Sequence, residues 1–188
     1  MKAKFGDKTE ALVEKGALSN GTLGITSHWD WEHWRDGKVI DTWGERNLCT
    51  NEGLDSVLNI MFHAATQITV WAVVIFEDDY TPLSTNTYAD PGFTESEAYA
   101  AAVRPDYDEA AAASQSITNS ASKAEFAINA TKTIYGAALV GGGGATYNTK
   151  SDAAGGGTLF SSSKFSSSKS VDNGDTLKVT ITISSSDI

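Results

Sequence analysis

The chain has one cysteine, three prolines, two methionines and three histidines in 188 residues. Cys49 has no second thiol to meet, so an internal disulfide is excluded and nothing points to an oxidising compartment. His28 and His33 are five positions apart on an extended segment and fall on opposite faces, too far apart to share a metal. No apolar run reaches the ~20 residues of a membrane span. The N-terminus, MKAKFGDKTEALVEKGALSNGTLGI, has lysines but not the apolar stretch of a secretory signal. A soluble protein made in the cytoplasm, with no membrane partner, is the expectation. Positive charge is also scarce: 14 Lys and Arg against 24 Asp and Glu, net −10, which argues against nucleic acid as a ligand.

Chemistry is equally hard to place. The glycine runs between Gly141 and Gly157 are followed by no GK[ST], so they are not phosphate loops. Asp106-Tyr107-Asp108-Glu109 has calcium-binding side chains but neither the spacing nor the glycine of an EF-hand. Cys49 and His63 make a nominal nucleophile–base pair that nothing in the spacing positions. The other carboxylates lie on polar sequence, without an apolar pocket to tune them. No catalytic, cofactor-binding or metal-ligating residue is assigned, and the chain reads as a non-enzyme with no cofactor.

What is present centres on Gly44–Phe76. Thr50 is an N-cap and Glu52 a first-turn acid for a helix over about 51–62. Leu54, Val57, Leu58, Met61 and Phe62 recur with helical spacing along one face. Ile68–Phe76 is apolar on both faces of a strand, so it must be covered on both, and the helix is its nearest cover.

Upstream, His28–Trp43 reads as a β-hairpin turning at Asp36-Gly37, with Trp29, Trp31 and His33 on one face. A three-residue loop from Arg35 to Gly37, which would set Trp29 opposite Trp43, avoids pairing Glu32 with Asp41. Residues 1–24 read as an extended arm whose large apolar groups include Phe5 and Leu12. Residues 83–116 form a long polar connection. Strands resume at 117–120, 124–130, 133–140 and 158–165. A serine-rich return and an Asn173-Gly174 hairpin turn then lead into Thr176–Ser184, where Leu177, Val179, Ile181 and Ile183 alternate with polar residues. Seven or eight strands and one helix predict a mainly β fold: an antiparallel, jelly-roll-like β-sandwich over 25–188 with one packed helix.

Four of the five tryptophans, Trp29, Trp31, Trp34 and Trp43, fall within one hairpin. They are core residues, anchors of a protein interface or a sugar-stacking platform. HWDWEHWRDGKVIDTW, GERNLCTNEGLDSVLNIMF, TQITVWAVVIFEDDYTP and SITNSASKAEFAINATKTIYGAALV together resemble a family of small head-associated structural proteins of tailed bacteriophages. The resemblance spans about 28–183. It implies a decoration, or cement, protein on the capsid surface of a virion. Its partners would be the major capsid protein and other copies of itself, as homodimer or homotrimer. Trp29, Trp31, Trp34, Trp43, Phe5 and Leu12 are then the candidate partner-binding residues. A tail-tube or head–tail joining subunit and a virion carbohydrate-binding module are the alternatives.

Overall fold

A computed structural model describes residues 23–142, 147–152 and 156–187. Phe5, Leu12 and nearly all of the arm predicted over 1–24 lie outside the described residues. Leu23 and Gly24 do not belong to an arm: they open the first strand, β1 (Leu23–Arg35).

β1 and β2 (Lys38–Arg46) form the tryptophan hairpin. Asp36 and Gly37 both have positive φ, 51° and 72°, which gives a two-residue turn whose twist matches the strands. Arg35 faces Lys38 and Trp34 faces Val39. Ile40 is then left out as a bulge, and pairing resumes with His33 opposite Asp41 and Trp31 opposite Trp43. The three-residue loop is therefore incorrect. The bulge separates Glu32 from Asp41 without it, and it stacks Trp31 on Trp43 at 5.7 Å with planes 2° apart.

Next come β3 (Leu48–Cys49), α1 (Asn51–Phe62), β4 (Trp71–Phe76), β5 (Ser116–Thr118), β6 (Ala124–Ala127), β7 (Lys132–Gly142), β8 (Gly157–Val171) and β9 (Thr176–Asp187). All the strand pairings are antiparallel. One sheet runs β2-β1-β9-β5, with β6 also on β9, and the other runs β3-β8-β7-β4. The fold is an antiparallel β-sandwich with one helix. β8 runs through the serine-rich stretch predicted as a return loop, because β7 supplies a ladder partner along it. Between β5 and β6 the ladder on β9 is interrupted, and buried Asn119 bridges the gap. Its side chain accepts from Ile181 N–H at 2.7 Å and donates to the Val179 carbonyl at 3.2 Å.

The core between the sheets gathers Trp29, Trp31, Val73, Ile75, Phe126, Leu139, Phe165, Val179 and Ile181. The other face of β4 carries Ala72 and Val74, and it is covered by Tyr88 and Phe93 of the long connection together with Tyr147. Phe93 also stacks on Phe76 at 4.6 Å. The same connection satisfies the open edge of β4: Val73 N–H donates to Pro105, Tyr107 N–H to Trp71 and Ser96 N–H to Ile75, each at 2.8 Å. The connection, and not the helix, is the second cover of β4. That frees the helix for another task.

The outer face of helix α1 as candidate functional site

Three residues within one four-residue stretch fix how α1 is mounted. Thr50 is the N-cap: its hydroxyl accepts from Gly53 N–H at 3.0 Å and donates to the Leu159 carbonyl. Glu52 turns inward, where its carboxylate accepts from Tyr88 N–H at 2.8 Å and Leu159 N–H at 2.6 Å. Gly53 lies flat on β8; a Cβ there would come within 2.5 Å of the Phe160 carbonyl oxygen. Val57 reaches the main core as a partly buried neighbour. The helix closes on His63, whose N–H donates to Asn59 at 3.0 Å, and Ala64 follows with φ 54°.

This mounting turns the apolar stripe outward. Leu54 is 39 % exposed, Leu58 54 %, Met61 66 % and Phe62 80 %. The prediction that this face packs on β4 is overturned: the capping triplet docks the opposite side, and a glycine supplies the close contact. Leu48, two residues before the cap, is also exposed, as is Leu83, beside the Ser84 carbonyl that receives Asn51 N–H at 2.8 Å. These side chains leave apolar groups exposed on and beside the helix.

The predicted anchors lie elsewhere. Trp29 and Trp31 are each 1 % exposed and belong to the core, so neither can offer a surface to a partner or a sugar. The expectation that both bind a partner does not hold, because β1 turns them into the core. Trp43 is half-buried between Trp31 and Phe165, with Lys169 Nζ 4.3 Å from its ring centroid. Trp34 is half-buried on the outer face of β1. Its indole N–H donates to Glu32 at 2.9 Å, and Lys178 lies over its ring.

The groups with chemical potential are engaged in structural ties. Buried His33 meets the buried Asp175 carboxylate at 2.7 Å, and Arg35 adds two bonds to it at 2.7 Å. The Arg35 guanidinium, with the Asp172 N–H and His33, holds the Asp175 carboxyl well below the usual carboxylate range despite its burial. An ionised carboxylate only accepts, so His33 carries its proton on Nε2. Buried Arg104 lines a cavity of about 350 Å³ with Val74, Tyr88 and Phe93. Its guanidinium is shared among Glu95, the Tyr88 hydroxyl and the carbonyls of Tyr147 and Asp152. Burial pushes the Cys49 thiol up, the reverse of what a nucleophile needs. Tyr107, central to the acidic run at 106–109, is buried. Among the described residues no group of three or more His, Cys, Asp or Glu could hold a metal, and no helix is long and apolar enough to cross a membrane. The chain matches no protein-family model and no curated protein sequence.

Proposed function

We propose that this chain is a structural protein of a tailed-phage head: a decoration or cement protein that binds the major capsid protein shell and stabilises it. The observation that carries the reading is the apolar outer face of α1, held out by Thr50, Glu52 and Gly53 on a rigid sandwich. A surface of that kind works by being covered. The motif resemblance supplies the shell as the setting. The mechanism is additive: each copy contributes a modest buried area, and repetition over the shell multiplies it. The ties around Asp175 and Arg104 suit such a part, because a rigid unit loses little conformational freedom on docking.

Quantifying the chain per particle in purified virions tests this. Hundreds of copies per head are expected. A single ring's worth of copies would contradict the shell assignment and place the chain at the head–tail joint, the alternative structural role.

A further inference from the structure

We propose that the cavity beside Arg104 is a binding site for one small, uncharged, mainly apolar molecule, held between the β8-β7-β4 sheet and the long connection. This inference does not depend on the decoration reading.

The cavity measures about 350 Å³, more than twice the ~150 Å³ of a dry apolar cavity that takes up one benzene, so it has room for about two fused rings. Its floor is Val74 of β4, Val140 of β7 and Leu159 of β8, one buried apolar side chain from each of three adjacent strands. Its walls are the rings of Tyr88 and Phe93, both from the connection. Each ring is held from behind. Tyr88 lies on Gly157, where a Cβ would come within 2.6 Å of the ring, and Phe93 stacks on Phe76 at 4.6 Å. Walls fixed in this way cannot close on the space, and a ligand that enters has little side-chain order to impose.

The polar groups decide the charge of that ligand. A guanidinium has five N–H groups, and Arg104 spends all of them within the protein. Nε donates to Glu95 at 3.1 Å and Nη2 to Glu95 at 2.7 Å. Nη1 donates to the Tyr88 hydroxyl at 3.1 Å and the Tyr147 carbonyl at 2.6 Å, and Nη2 also donates to the Asp152 carbonyl at 3.1 Å. An anion therefore finds no donor left on Arg104. Glu95 takes the Ser151 N–H as well, at 2.8 Å, so a cation finds its carboxylate already paired. Either ion would be stripped of water against an apolar floor with no charge to meet it. Water itself gains little there, because three aliphatic side chains offer it no hydrogen bond. An uncharged ring system fits the floor, the walls and the matched charges together. Once bound, it would tie the connection to the sheet and stabilise the fold by linkage.

Titrating the full chain with 2-naphthol at neutral pH, while following the valine and leucine methyl NMR signals, tests the site. Saturable shifts are expected at Val74, Val140 and Leu159, with half-saturation below about 1 mM. Val73 and Leu139 face the main core from the same strands and should stay in place. The thermal midpoint should rise with 2-naphthol concentration. 2-Naphthalenesulfonate, the same ring system with a negative charge, should bind at least about tenfold more weakly. Val140→Phe puts a ring into the space and should weaken 2-naphthol binding at least about tenfold. Methyl signals unmoved at about 1 mM, or moved equally at Val73 and Leu139, overturn the site. So does a folded Val140→Phe chain that binds 2-naphthol undiminished. Equal binding of the sulfonate overturns the assignment to an uncharged ligand.

Discussion

Trp31→Ala is expected to lower folding stability by about 4 kcal/mol, the range for truncating a large buried aromatic. Trp31 is 1 % exposed and lies within 5.3–6.4 Å, centroid to centroid, of Trp29, Trp43, Phe126 and Phe165. No neighbouring group could refill that space without leaving its own contacts. The indole N–H has no hydrogen-bond partner among the described residues, so the ring contributes through packing. Trp31→Phe, which keeps an aromatic ring and removes the orphaned donor, should therefore retain most of the stability. Guanidinium denaturation of the three proteins checks the order. A Trp31→Ala chain as stable as wild type would mean that the ring is not in the core.

The second large effect is at Asp175. Asp175→Ala is expected to lower stability by about 3 kcal/mol, the low end for breaking a buried ion pair, because Arg35 is 41 % exposed and keeps part of its hydration. The carboxylate takes four hydrogen bonds from three groups: His33 and Arg35 of β1 and the Asp172 N–H of the β8–β9 turn all donate to it. Its folded pKa is depressed, mainly by Arg35. A depressed acid stabilises the fold above its unfolded pKa, which for an aspartate is about 4. That stability is lost as pH falls below about 4 toward the folded value. Wild-type stability should thus decline through this acid window, and Asp175→Ala should lose that part of the slope while starting lower. Equal acid slopes in the two proteins would exclude the tie.

Sequence and structure meet most closely where local rules decide the outcome. Asp36-Gly37 forms a turn, Thr50 caps a helix at Asn51–Phe62, and Leu177, Val179 and Ile181 face inward from β9. Asn173-Gly174 also turns the chain, but not as the expected hairpin, because β8 and β9 lie in different sheets. They part where a choice depends on distant chain. The bulge at Ile40 is set by stacking of Trp31 on Trp43 and by separating Glu32 from Asp41, which a turn rule does not contain. The serines of β8 become strand because β7 lies beside them. The stripe on α1 has the period of a core-facing helix, and periodicity cannot say which surface it meets. The signal that could have found the site was Glu52-Gly53: an acid with amides to satisfy and a residue without a side chain, both on the flank opposite Leu54 and Leu58. The motif strings that suggest phage-head proteins have structural work in this fold. TNEG mounts α1, and the asparagine of ITNSA bridges the ladder on β9.

The most direct test of the proposed decoration role is add-back of the purified chain to phage heads that lack it, followed by thermal rupture. Saturable attachment at many sites per head, with a rise in rupture temperature that tracks occupancy, is the predicted result. Heads that take up no protein at saturating concentration, or that take it up and rupture at an unchanged temperature, would contradict a role in shell stabilisation.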